Sequence, residues 1–193
     1  MGRQGLIVMV FKAMIAGCIV ACLAAAPASA QMSVTTFGES DAAACYQQAS
    51  NNFGHDTTPC DKALENAAMS KTDRKKTLVN RGIIENRNRG FQAAMSDFNA
   101  ALAIDPRLGE AVVNRGNSYF LTGRLNEALA DYKRALDLGV SRPWAAWYNI
   151  GLVYEAKKDK EKAREAFQKA IELNPNFELA KTHLAKLEGE RTQ

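Results

Sequence analysis

A phrase that returns at a nearly fixed interval limits this chain more than any other feature. Leu78–Gly82 reads LVNRG, Val112–Gly116 reads VVNRG and Tyr148–Gly151 reads YNIG. Gly82, Gly116 and Gly151 thus form a column spaced by 34 and then 35 residues. Ala94, Ala128 and Ala163 follow 12 residues after the glycines. Phe98, Tyr132 and Phe167 come 4 further on, and Ala101, Ala135 and Ala170 another 3 beyond. Pro106 and Pro175 close the first and third units; Val140 stands there in the second, and Pro143 supplies its break late. Self-similarity of this period marks stacked units, none of which can bury its apolar face alone.

Each unit reads as two helices. Apolar residues recur at spacings of three and four, the helical rather than the strand period. Arg87–Gly90 and Leu121–Arg124 supply the turn within the first two units, and Lys157–Lys160 does so without glycine. Ser141-Arg142-Pro143 is a helix start, and a residue before proline leaves helical geometry, which ends the preceding helix. The small columns have a steric role. Gly82, Gly116 and Gly151 are expected to face Ala94, Ala128 and Ala163 across each pair so that two backbones approach, with the aromatic filling the space one turn on.

The columns resemble tetratricopeptide repeats. Trp147, Gly151, Tyr154, Ala163, Phe167, Ala170 and Pro175 match that pattern, as do Val112, Gly116, Tyr119, Ala128, Tyr132 and Ala135 in the second unit. The first keeps Leu78, Gly82, Ala94, Phe98, Ala101 and Pro106, with Glu85 where an aromatic is usual; Arg81 and Arg115 stand where leucine is common. The resemblance spans about residues 75–177 and implies an all-α, right-handed α-solenoid of stacked antiparallel helix pairs. Unit boundaries fall at 73–107, 108–142 and 143–176. Upstream, 40–72 reads as a degenerate pair, Ser40–Asn52 and Thr57–Ser70, with Pro59 in the first turn of the second helix. Downstream, 177–193 reads as one capping helix that packs Phe177, Ala180, Leu184 and Leu187, with His183 at the surface.

Residues 1–30 read as an export signal. Arg3 and Lys12 flank its start, Ala13–Ala26 forms an apolar core, Pro27 breaks it, and Ala28-Ser29-Ala30 has the form of a cleavage site before Gln31. Lipidation at Cys18 is the alternative, and Met9 an alternative start. The destination is the periplasm or the exterior, with 31–39 as a flexible leader that is a candidate to occupy part of this protein's own groove. Once the signal leaves, Cys45 and Cys60 remain, an even pair suited to a disulfide in an oxidising compartment. Two free thiols, or a metal site with His55, are the alternatives weighed against it; no metal and no cofactor are expected.

The net charge of +4 falls to +2 without Arg3 and Lys12, too little to point to nucleic acid. His55 and His183 lie at opposite ends of the array, and no phosphate loop or nucleophile elbow is present. The chain is therefore read as a non-catalytic module. The resemblance implies a concave groove for a peptide or partner protein, lined by Val79, Asn80, Ile83 and Arg87, by Val113, Asn114, Asn117 and Phe120, and by Tyr148, Asn149, Leu152 and Glu155. The column Asn80, Asn114 and Asn149 is expected to form an amide ladder for an extended backbone. Val79, Ile83, Ala145 and Asn149 stand where some family members place a basic clamp, so an EEVD-type tail is not expected. A self-associating envelope subunit and an accessory of a cell-wall enzyme are the rival readings.

Overall fold

The computed structural model describes residues 39–189, with side chains from 41 onward, and every regular element among them is an α-helix. The export segment, Cys18 and most of the 31–39 leader lie outside these residues. From Asp41 the described chain forms one unit. Its helices are α1 (Glu39–Ser50), α2 (Thr58–Glu65), α3 (Lys71–Arg87), α4 (Phe91–Ile104), α5 (Gly109–Leu121), α6 (Leu125–Asp137), α7 (Pro143–Ala156), α8 (Lys160–Leu173) and α9 (Glu178–Gly189).

Packing is densest within the pairs α3–α4, α5–α6 and α7–α8, and each second helix then meets the first helix of the next unit. The result is the right-handed solenoid of antiparallel pairs. The aromatic column closes over the glycine column. It is the aromatic ring that covers each glycine: a Cβ on Gly82 would stand 2.6 Å from Phe98, one on Gly116 2.8 Å from Tyr132, and one on Gly151 2.5 Å from Phe167. The alanines 94, 128 and 163 are nevertheless fully buried.

Local signals set the helix ends. The Ser70 hydroxyl accepts the Asp73 amide at 3.0 Å and starts α3. Pro143 opens α7 where its missing amide costs nothing. The turn within each unit needs a left-handed residue, and the column Arg89, Gly123 and Lys158 supplies it with φ of 63°, 76° and 62°. Two of the three turns thus carry a residue with a Cβ in that region, a local strain.

The N-terminal pair departs most from the sequence reading. Thr57–Ser70 is not one helix: α2 stops at Glu65, and Arg74 Nη2 donates to the Asn66 carbonyl beyond it at 3.0 Å. Cys45 and Cys60 are joined, both fully buried against Ile84. Arg87 seals the end of α1. Its guanidinium donates to the Gln48 carbonyl at 3.1 Å, to the Ala49 carbonyl at 3.0 Å and to the Gly54 carbonyl. His55 meets Asn88 Oδ1 at 2.6 Å, and the Asn88 amide returns a bond to the His55 carbonyl at 2.9 Å. No cluster of three or more potential metal ligands occurs among the described residues.

Candidate functional site: the inner face of the first helices

The first helices α3, α5 and α7 line the inner side, and the predicted groove residues divide there into two groups. Ile83, Val113, Asn114, Asn117 and Asn149 come together around a cavity of about 350 Å³, closed on the far side by Val140, Ser141, Arg142, Ala145 and Ala146. Val79 and Asn80 line a second cavity of about 710 Å³ with Ala42, Ala43, Tyr46, Asp73, Lys76, Thr77 and Leu108. Glu110 borders both and so stands between them. It sits in the first turn of α5, where the helix dipole favours a carboxylate.

Five predicted residues are spent elsewhere: Arg87, Phe120, Tyr148, Leu152 and Glu155. Arg87 is consumed by the carbonyls at and just beyond the end of α1, where the last turn of a helix leaves acceptors without helical donors. Phe120 packs into the apolar cluster around Tyr132, Ile150 and Val153. Tyr148 and Leu152 join the cluster that α8 and α9 build around Phe167, Ala180 and Leu187. The Tyr148 ring meets Phe177 edge-on at 5.2 Å and His183 at 5.6 Å. His183 is half-buried rather than free at the surface: its Nδ1 lies 2.8 Å from Glu155, which Lys186 also reaches at 3.0 Å. Burial raises the Glu155 carboxyl, but the bonds from Lys186 and His183 outweigh it and leave the pKa below the ordinary glutamate value. The chain's own last helix thus packs over the part of the third unit that Tyr148 and Leu152 present, while Asn149 stays on the cavity.

Two members of the amide column, Asn114 and Asn149, are joined through Asn117, while Asn80 lines the other cavity. Asn114 Nδ2 donates to the Glu110 carbonyl at 2.8 Å. Asn117 Nδ2 donates to Asn114 Oδ1 at 3.4 Å, and Asn117 Oδ1 accepts from Asn149 Nδ2 at 3.1 Å. Tyr132 Oη also donates to Asn117 Oδ1, at 2.8 Å. Burial raises the Tyr132 phenol, so the hydroxyl stays a donor throughout the ordinary pH range. One residue therefore does two jobs: its ring packs Gly116, and its hydroxyl aims a groove amide. The aromatic column carries phenylalanine in the other two units, so the tyrosine was the visible signal. Below this layer the buried Ser118 hydroxyl donates to Asn86 Oδ1 at 2.9 Å and ties α5 to α3. The three asparagines all line the cavity, and an amide with one hydrogen bonded keeps further donor and acceptor capacity.

A further polar column holds the units together. Arg81 makes two bonds to Asp97, at 2.9 Å from Nε and 2.7 Å from Nη2, and a third to Asp61 at 2.7 Å. Arg115 repeats this with Asp131, at 2.8 Å from both nitrogens, and with Asn99 at 2.8 Å. Bonding to the aspartates raises the pKa of both guanidiniums. The two arginines that depart from the leucine of the repeat pattern are thus paired within and between units.

Comparison with known proteins agrees with this geometry. A family model described as "Tetratricopeptide repeat" matches residues 144–177, and one described as "TPR repeat" matches 116–158. The general transcriptional corepressor ssn6 of Schizosaccharomyces pombe is 33% identical over 97 residues, which is 50% of this chain and 9% of that protein. The chain therefore spans only about a tenth of the length of such curated relatives. Among solved structures, MamA superposes with a TM-score of 0.62 at 20% identity, covering 82% of this chain and 86% of that one. The first TPR of Spaghetti (RPAP3), bound to HSP90 peptide SRMEEVD, superposes with a TM-score of 0.58 at 20% identity, covering 66% and 100%. At these identities the structural likeness speaks for the fold.

Proposed function

We propose that this chain, which carries tetratricopeptide repeats, is a non-catalytic interaction module whose inner face holds an extended, largely apolar segment of a partner protein. The carrying observation is the cavity of about 350 Å³ in which apolar walls (Ile83, Val113, Ala145, Ala146) meet the amides of Asn114, Asn117 and Asn149. Apolar walls with a few convergent polar groups are what a peptide groove requires, the amides serving backbone and the walls serving alternate side chains. Glu110 continues the path into the second cavity, so an extended guest has room on both sides of it. The Spaghetti neighbour, which binds a peptide on the same fold, supports this reading.

The test is Ala145→Arg, which fills the cavity from its rim without entering the core. Affinity capture with the variant is expected to lose the partners captured by the wild type, while the thermal melt stays unchanged. Identical partner sets would reject the groove.

The site of action in this reading is the cell envelope. The pattern of residues 1–30 and the Cys45–Cys60 bond support export. N-terminal sequencing of the mature protein is expected to begin at Gln31; an intact Met1 or Met9 start would exclude it. Self-association is the second reading, favoured by Phe53, which is 87% exposed, and Leu179, which is 56% exposed. A strict monomer in sedimentation at high concentration would remove it.

A further inference from the structure

The outer face of the third unit differs from the other two in a way that opens a second site. In unit two, the space between α4, α5 and α6 is filled by the Arg115–Asp131 pair and by Asn99. The Arg115 guanidinium also lies 5.9 Å from the centre of the Tyr119 ring. Counting forward by the repeat interval, Arg115 becomes Ile150, Asp131 becomes Ala166 and Asn99 becomes Lys133. All three members change together. The guanidinium and the carboxylate are gone, and a cation has moved onto the neighbouring helix α6.

What the change leaves is a cavity of about 330 Å³ between α6, α7 and α8. Its floor is Ile150, 1% exposed, and Ala166, 2% exposed, and its walls include Trp147 and Tyr154. Lys133, Lys162 and Lys169 stand around it. Lys162 is paired with Asp159 at 2.7 Å and Lys169 with Glu172 at 2.8 Å, both exposed pairs one helical turn apart that contribute little. Lys133 forms no ion pair among the described residues. Glu165 also lines the rim, where it adds to the negative surroundings of Lys162.

We infer that this cavity is a docking site for an acidic segment of a partner polypeptide, one that sets a carboxylate beside an aromatic side chain. The position keeps a cation and an apolar hollow but lacks the carboxylate that Asp131 supplies in unit two, so the guest completes the pair from outside. The aromatic body lies on Trp147, Tyr154 and Ile150, gaining apolar burial, while the carboxylate meets Lys133. A volume of about 330 Å³ lies at the lower end of ligand pockets and suits one such side-chain pair rather than a long guest. A basic segment would place its charge against Lys133. The site is separate from the inner groove, being walled by the second helices α6 and α8.

The experiment uses the full disulfide-bonded chain and two probes, N-acetyl-Asp-Phe-amide and its uncharged isostere N-acetyl-Asn-Phe-amide. Titration is followed by NMR at the Trp147 indole and the Ala166 methyl. The acidic probe is expected to shift both signals and to bind about threefold to fivefold more tightly than the isostere, the size of one exposed charge pair. Lys133→Asn, the residue unit two uses, is expected to make the two probes equal. Ala166→Asp supplies an internal carboxylate and is expected to block the acidic probe; burying that carboxylate lowers the melt, so a retained helical circular-dichroism signal at the titration temperature shows that the variant is folded. Ala145→Arg, in the inner groove, is expected to leave both titrations as they are. Equal binding of the two probes to the wild type, no shift at Trp147, or loss of binding in Ala145→Arg would each overturn the proposal.

Discussion

Arg115→Ile removes the cation that Asp131 depends on and shows what the polar column contributes. The Asp131 side chain is 9% exposed and receives both of its strong bonds from Arg115, at 2.8 Å each. Removing one partner of a buried pair leaves an uncompensated charge, which costs about 3–5 kcal/mol. Asp131→Ala is milder: Arg115, 17% exposed, still reaches Asn99 and water, and the expected loss is about 1–2 kcal/mol. The pair of changes Arg115→Ile with Asp131→Ala copies what the chain itself does at Ile150 and Ala166. With no orphaned charge it is expected to fall within about 1.5 kcal/mol of the wild type, as apolar replacement of buried pairs often does. The double-mutant cycle should then give a coupling of at least about 2 kcal/mol. Urea unfolding followed at 222 nm, with the disulfide intact, measures all four proteins. Additive losses, with the double variant worse than Arg115→Ile alone, would refute the claim that the column is a matched pair rather than two separate contacts.

Three further outcomes follow from other parts of the array. Lys158→Gly relieves a left-handed residue at φ 62° and is expected to raise stability by about 0.5–1 kcal/mol in the same unfolding assay, whereas Gly123→Ala at φ 76° should lower it. Because the folded Glu155 pKa is depressed, its pairing with Lys186 and His183 contributes above the ordinary value of 4.5 and is lost as pH falls through the lower folded value; hydrogen exchange in α9 should rise in that acid range and be flat in Glu155→Gln. Reduction of the bond between Cys45 and Cys60, 15 residues apart in sequence, should lower stability by about 3 kcal/mol with faster exchange in α1 and little change beyond α5.

The repeat made the helix pairs legible because steric columns are periodic and a period survives in one dimension. Gly116 and Tyr132 stand in the same relation as Gly82 and Phe98, so one sequence offset describes both packings. The groove was less legible, since lining it is decided by what the ends of the array do. Arg87 occupies the register of a groove residue, yet the degenerate pair beside it leaves carbonyls that need a donor. Tyr148 and Leu152 also stand in register, yet α9 packs over that stretch, and nothing in their own unit signals it. Glu110 and Arg142 were missed because they stand at the starts of α5 and α7, where the stripe of inward positions has not yet begun. Arg81 and Arg115 read as departures from leucine until Asp97 and Asp131, 16 residues on, are placed opposite them. That offset joins two helices and has no meaning within either.

The chain of bonds from Tyr132 through Asn117 to Asn114 and Asn149 has a kinetic consequence. These side chains are pinned before any visitor arrives, so few rotors remain to be frozen on contact and the hollow needs no rearrangement. Encounter should therefore follow a single exponential whose rate rises linearly with concentration, and removing the phenolic hydroxyl alone, by Tyr132→Phe, should show itself as quicker escape rather than slower capture.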